Sequence, residues 1–398
     1  MARNPIDPHH VSAGGSRTRL RIGLVAGETS GDIVGARVVS ALRQHFDEVV
    51  VEGIGGPLLE AQGLRSLFPM ERLSVMGFVE PLKRLPELLH IRRSVVRHFR
   101  DNPPDLFLGI DAPDFNLGVA ARLHKSGIKT VHLVSPSVWA WRRGRVRKIA
   151  RAVDMMLCLF PFELDVYRAT AVDARFVGHP MADDIPAQPD REAGRLALGL
   201  PGQGKLLALL PGSRASEVAL LAPLFLDTAR RLCAADPQLT LVIPAAGEAR
   251  FTALQSLLAE APDLPVTLLM GQSREVLAAA DAVLVASGTA TLEAALSQCP
   301  MVVAYRMAPV SWWLLSRLVR TPFAALPNVL SHAQVVPELL QDAATAAALV
   351  DALQPLLQVS GAADRQRAAF LEIRNQLQQG FARRTVAALR DVLEPRDG

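Results

Sequence analysis

Two series of short apolar runs dominate the chain, each run ending in small or turn-forming residues and leading into a segment with helical spacing. The first series is RIGLVAGE, VVVEGIGG, DLFLGIDA, TVHLVSPS, MMLCLFPF and ARFVGHP. After the loop MADDIPAQPDREAG the rhythm restarts with KLLALLPGS, LTLVIPAA, VTLLMGQ, AVLVASGT, PMVVAYR and FAALPNVL. Runs that are apolar throughout, rather than alternating, suit strands buried on both faces, and hence parallel sheets covered by helices on each side. Two such series predict an α/β fold of two doubly wound parallel-sheet domains facing each other across a cleft. At 398 residues the chain is also too long for one ordinary core. The reading divides it into a frayed extension (1–18), a first domain (19–185), a second domain (186–365) and closing helices (366–398).

Composition narrows the function classes. Forty-three basic residues against 39 acidic leave a net charge of only +4, which does not predict nucleic-acid binding. The three cysteines, Cys158, Cys233 and Cys299, lie far apart in apolar or helical contexts without metal-ligand spacing, as in a reduced, cytoplasmic protein. The N-terminus lacks the apolar centre of a secretory signal, and no run of about 18 apolar residues occurs, so any membrane contact is expected to be peripheral.

In open parallel sheets, ligands sit beyond the carboxyl ends of the strands. At the end of AVLVA, Ser287, Gly288 and Thr289 bring small side chains, hydroxyls and backbone N–H groups to a helix start, a suitable seat for phosphate. Glu293 follows one turn later, placed to accept hydrogen bonds from a ribose diol or, equally, to face solvent. Thr291 belongs to the same turn. LLALL ends in Pro211, Gly212, Ser213 and Arg214, where an arginine fork suits a diphosphate; a surface pair between Arg214 and Glu217 is the plainer alternative. In the first half, AGETSGDIVGA is neither a GxGxxG nor a P-loop. Its Glu28, Ser30, Gly31 and Asp32 suit a hydroxyl-rich sugar better than phosphate, with helix capping by Ser30 or Asp32 as the alternative. GIDAPDFN ends a strand in Asp111, either a general base or a structural cap. His132 and His179, also at strand ends, read as bases or as hydrogen-bonded structural residues. No DxD motif or metal-ligand spacing is present, so neither a metal nor another cofactor is expected.

Apolar side chains also stand in loop-like surroundings: Val75, Met76, Phe78, Val79, Trp139 and Trp141, with Trp312 and Trp313 later in the chain. The basic run RRGRVRKIAR, with Arg142, Arg143 and Arg145, follows the second of these tryptophans. Core packing and a solvated helix face are one account; an acyl-chain groove and contact with anionic lipid are the other.

The motifs GETSGDIVGA, GIGGPLLEAQGL, SVMGFVE, GIDAPDFNL, VSPSVWAWR, FVGHPMAD, LLPGSRASEV, ASGTATLEAAL, CPMVVAYRM and LPNVL occur in order from about residue 20 to 340. Together they resemble the lipid A disaccharide synthase family, within the GT-B glycosyltransferases with their two Rossmann-like domains. The resemblance implies an inverting transfer from UDP-2,3-diacylglucosamine to 2,3-diacylglucosamine 1-phosphate (lipid X), giving a β-1,6-linked disaccharide and UDP. It makes Asp111 the base for the acceptor 6-hydroxyl and gives Arg214, with the turns at Gly212 and at Ser287 to Thr289, the departing UDP. Glu293 would hold the ribose, and Asn328, in LPN at the end of the last expected strand, joins the cleft. It further implies peripheral association with the inner face of the bacterial inner membrane. The closing helices would cross back to the first domain or be exchanged within a homodimer. A UDP-sugar epimerase of the same two-domain shape is the nearest rival enzyme, and a non-catalytic lipid or nucleotide carrier is a third reading.

Overall fold

Every strand the apolar runs can form is parallel to its neighbours, because each is followed by a helix that returns the chain to the same edge. The computed structural model describes residues 19–73, 84–136, 143–308, 312–313, 316–317, 321–358 and 361–394. The first sheet contains β1 (Arg19–Ala26), β2 (Glu48–Ile54), β3 (Leu64–Ser66), β4 (Leu106–Ile110), β5 (Lys129–Leu133), β6 (Met155–Cys158) and β7 (Asp173–Phe176), in the order β3-β2-β1-β4-β5-β6-β7. The second contains β8 (Leu206–Leu210), β9 (Thr240–Ala245), β10 (Val266–Met270), β11 (Ala282–Ala286), β12 (Met301–Tyr305) and β13 (Glu338–Leu340), in the order β10-β9-β8-β11-β12-β13. Both sheets therefore reverse direction beside their first strand, at β1/β4 and at β8/β11, which is where ligand crevices form in such sheets.

Helices α1 (Thr29–Leu42), α2 (Pro57–Ala61), α3 (Leu85–Asp101), α4 (Pro113–His124) and α5 (Val146–Ile149) belong to the first half. Then come α6 (Pro180–Asp184), α7 (Arg191–Ala197), α8 (Ala215–Ala235), α9 (Glu248–Ala259), α10 (Ser273–Ala279), α11 (Thr289–Leu296) and α12 (Leu326–Ser331). The chain closes with α13 (Ala346–Leu357), α14 (Ala362–Leu377) and α15 (Phe381–Leu393). The central strands β4, β8 and β11 are buried at every residue, as continuous apolar runs require.

Two expectations change. FAALPNVL does not form the last strand: Pro327 sits in the first turn of helix α12, and the edge of the second sheet is made by β13, downstream. The short strand β3 at the opposite edge of the first sheet was absent from the expected series.

The two halves are joined twice. Phe370, Ile373 and Leu377 of α14 enter the core of the second sheet, whereas Phe381, Val386 and Leu389 of α15 enter that of the first. The crossings lie against each other: the His179 amide donates to the Leu377 carbonyl at 3.0 Å, and the Asp183 carboxylate takes the amides of Gly380 and Phe381 at 3.3 and 2.6 Å. Gly178, at φ 87°, has no room for a side chain, since a Cβ there would fall 2.8 Å from that of Gln379. Arg374 is buried and donates to the carbonyls of Ala182, Ile185 and Pro186 in the first crossing and to that of Leu296, the last residue of α11. One guanidinium thus fastens the linker to the helix whose other end faces the cleft.

Candidate active site

The largest grouping of strand-end residues surrounds a cavity of about 430 Å³ on the second sheet, a size suited to a nucleotide. Its walls include Gly212, Ser213 and Arg214 after β8, Ser287, Gly288 and Thr289 after β11, and Glu293 on α11. The structure therefore brings together the separate loops that the sequence singled out.

The two helix starts differ in what they offer an anion. At α8 the Glu217 carboxylate turns back and accepts the Ser213 and Arg214 amides at 3.1 and 3.2 Å, while the Arg214 guanidinium donates to its other oxygen at 2.5 Å. This is the reach-back of a capping box, in which a carboxylate three residues on satisfies exposed amides. Gly212, at φ 113°, is compelled by it, since a Cβ would lie 2.5 Å from Glu217 Oε2. The Ser213 and Arg214 amides are thus already occupied, and what this turn offers a ligand is the Arg214 side chain, two-thirds exposed. The Glu217 bond, followed by its charge, pushes the Arg214 pKa above its ordinary value, so the guanidinium is a permanent cation. Arg214 forms the pair with Glu217 that the plainer reading expects, and it also lines the cavity.

At α11 the Ser287 amide and hydroxyl are used by the carbonyls of Ala304 (3.3 Å) and Ala324 (2.8 Å). The amides of Gly288, Thr289 and Ala290 have no acceptor among the described residues and border the cavity. Thr291 does not face it. Fully buried, it donates to the Gly288 carbonyl at 2.8 Å and accepts the Leu326 amide, holding the turn from behind.

Glu293 accepts the Ser273 hydroxyl at 3.1 Å and the Arg274 Nε at 3.0 Å, one on each oxygen. Each oxygen retains a lone pair for a diol. Arg274 is a cavity residue the sequence reading missed, although its signal was available: GQSREV follows an apolar run just as GSRASEV does.

On the first sheet, Asp111 follows β4 with φ 52° and Ala112 comes next at φ 40°, two successive left-handed residues that are not glycine. Such conformations cost about 1–3 kcal/mol each and gather at functional sites. The Ser30 hydroxyl donates to Asp111 Oδ2 at 2.8 Å. Burial pushes the carboxyl pKa up, Ser30 opposes the shift, and the nearby charge of Glu28 adds to it. Gly31 lies against the same carboxylate, with Asp111 Oδ2 3.4 Å from where a Cβ would stand. The charge of Glu28 is the smallest of the influences that raise the Arg214 pKa.

Other expected cleft residues are engaged elsewhere. Asp32 is buried and accepts the amides of Gly56, Leu58 and Leu59 at 2.9–3.0 Å, capping α2, whose own N-cap is a glycine without a side chain. Asn328 is fully buried on α12, with Nδ2 donating to Val336 and Glu338 and Oδ1 accepting from Val335 and Val336. It braces the loop that meets Ser287 rather than presenting an amide to a ligand. His132 and His179 are both buried and pushed down to about 4, chiefly by desolvation, and His179 Nδ1 accepts the Met181 amide. Both are structural and neutral.

Arg145 is paired with Asp114 at the start of α4, which reduces its freedom as a lipid contact. Trp313 is exposed, with the Arg317 guanidinium 4.0 Å from its ring centroid. Val75, Met76, Phe78, Val79, Trp139, Trp141 and Arg142 lie outside the described residues, as does the side chain of Arg143.

Comparison with known proteins completes the picture. The profile of the family described as lipid-A-disaccharide synthetase matches residues 22–392. A lipid-A-disaccharide synthase from Pseudomonas paraeruginosa is 56% identical over 339 residues, 85% of this chain and 90% of that protein. Among solved structures, MurG from Acinetobacter baumannii superposes with a TM-score of 0.59 at 15% identity, covering 94% of this chain and 99% of that one. A UDP-GlcNAc 2-epimerase from Neisseria meningitidis, bound to UDP-GlcNAc, gives 0.63 at 13% identity over 94% and 100%. The two structural likenesses establish the GT-B fold and do not separate transferase from epimerase; the sequence match does.

Proposed function

The chain belongs to the lipid-A-disaccharide synthetase family, and from that premise we propose how its two facing surfaces divide the reaction. The protein is a hexosyltransferase of lipid A biosynthesis that takes a UDP-sugar donor and a lipid acceptor. The donor is UDP-2,3-diacylglucosamine and the acceptor 2,3-diacylglucosamine 1-phosphate. UDP rests in the cavity of the second sheet, its ribose on Glu293 and its diphosphate between Arg214 and the amides of Gly288, Thr289 and Ala290. The acceptor sugar lies against Glu28, Ser30 and Asp111. In a single in-line displacement the acceptor O6 attacks the anomeric carbon and the bond to the diphosphate oxygen breaks. The proton passes to the Asp111 carboxylate, and attack from the face opposite UDP turns the α-linked donor into a β-linked product. Charge growing on the departing UDP is met by the Arg214 cation and the helix end, both in place beforehand.

The observation that carries this reading is the cavity itself, where the exposed Arg214 cation, the amides at the start of α11 that lack an acceptor among the described residues, and the Glu293 carboxylate converge beyond the strand ends of the second sheet. Incubating the purified protein with both acylated substrates should yield UDP and disaccharide in equal amounts. Turnover of an unacylated UDP-sugar alone would favour an epimerase, and UDP binding without turnover would favour a carrier.

Contact with the membrane follows from the acylated substrates. No helix among the described residues is long and apolar enough to cross a bilayer. We place the contact on the first domain, where the basic run 142–151 follows the tryptophans, at the inner face of the inner membrane. Sedimentation with anionic vesicles should decline as salt rises and when Arg142 and Arg143 are neutralised. Salt-independent sedimentation would assign the contact to apolar insertion alone.

A further inference from the structure

Asp111 stands on a left-handed backbone, and one buried side chain grips that backbone. Asn116, in the second turn of α4, is fully buried. Its Nδ2 reaches the carbonyls of Asp111 at 2.8 Å, Ile110 at 3.0 Å and Val25 at 3.1 Å, its two hydrogens shared among the three. Ile110 is the last residue of β4 and Asp111 follows it; Val25 belongs to β1, two residues before Gly27 and the loop that carries Glu28 and Ser30. One carboxamide therefore ties together the strand ends that bear the carboxylate and its hydroxyl donor. The grip is backed from below. Gly109 pairs with His132 in the sheet, and a Cβ at Gly109 would lie 3.0 Å from both Asn116 Cβ and His132 Nδ1, so the two side chains converge on the space this glycine leaves. Asn116 Oδ1 has no hydrogen-bond partner among the described residues, while the His132 ring beside it is neutral and has the Val134 backbone as a neighbour.

We propose that Asn116 is a positioning residue for the transfer, fixing the backbone of Asp111 and the separation between Asp111 and Ser30. The proposal rests on the reading of Asp111 as the base. Asn116 touches neither substrate, so its loss acts on turnover through Asp111 and leaves the nucleotide cavity on the other sheet unchanged.

In Asn116→Ala, kcat should fall by about 10- to 100-fold, the scale at which a misplaced group slows a reaction. UDP affinity should stay within about twofold of the parent, since none of the cavity-lining residues changes. The acid limb of the kcat–pH profile should move to higher pH, because the Ser30 hydrogen bond that favours ionised Asp111 is loosened. In a Ser30→Ala background, where that bond is already gone, Asn116→Ala should move the limb no further. An unaltered acid limb in the single variant, or full additivity of the two shifts, would overturn the proposal. Should the alanine variant lose UDP binding through misfolding, Asn116→Ser, which keeps a small polar group, carries the same measurements. Failure of the premise is separately visible, as persistent turnover in Asp111→Asn.

Discussion

Replacing Asp111 with Asn should cut turnover by about 10²- to 10⁴-fold, the ordinary worth of a placed general base, while UDP binds as before. The amide keeps the volume and can still accept the Ser30 hydroxyl, so the loss is that of a proton acceptor alone. Burial already holds the Asp111 pKa above the usual carboxylate range, with the charge of Glu28 acting in the same sense. In the parent enzyme the acid limb of the rate profile should therefore lie higher than for an exposed aspartate, and Glu28→Gln should lower it. Stability moves the opposite way. A carboxyl whose pKa rises on folding contributes stability that is fully present below its unfolded pKa and lost as pH rises through the folded one. At neutral pH the ionised Asp111 thus works against the fold, and Asp111→Asn should melt slightly higher than the parent while being nearly inactive. Turnover close to the parent rate would remove Asp111 as the base.

Strand ends were legible in this sequence because parallel strands leave an unmistakable trace: apolar throughout, then abruptly small or polar. That trace located Asp111, the turn at Gly212 to Arg214 and the turn at Ser287 to Thr289 before any coordinates. It could not distinguish a short apolar strand from a short buried helix, and FAALPNVL, apolar around a proline, fell on the wrong side. The true edge strand, Glu338–Leu340, is only three residues long and carries a glutamate occupied in capping the amides of Ala324 and Ala325.

Direction within a turn was less legible than position. Asp32 lies four residues after Glu28, and proximity suggested a shared cleft. Its carboxylate instead serves the start of α2, more than 20 residues away, because Gly56 cannot cap that helix itself. Asn328 and Thr291 were likewise placed near the site and are turned inward, into bonds that shape the turns from behind. A polar side chain at a strand end has two ways to be satisfied, by ligand or by backbone, and the choice depends on partners distant in sequence. Glu217 was the exception: three residues after Arg214, its reach-back follows from local spacing alone.

That reach-back sets the outcome expected for Arg214. Arg214→Ala should weaken UDP binding by about 10- to 100-fold, the range of one hydrogen bond to a charged group, and should slow turnover by more, about 10²- to 10³-fold, because charge on the diphosphate grows as the sugar departs. The deletion does more than remove a cation. Glu217 is buried and, among the described residues, has Arg214 as its only cationic partner in hydrogen-bond contact. Once Arg214 is gone, a carboxylate without its cation remains at the rim of the cavity proposed for the UDP diphosphate. Adding Glu217→Gln to Arg214→Ala should therefore recover part of the lost UDP affinity, whereas Glu217→Gln alone should weaken binding by loosening the arginine it orients. Arg214→Lys keeps the charge without the fork and should fall between parent and alanine. Titration of UDP into the four variants decides the matter. Unchanged affinity in Arg214→Ala would move the diphosphate away from β8, towards Arg274 and the free amides of α11.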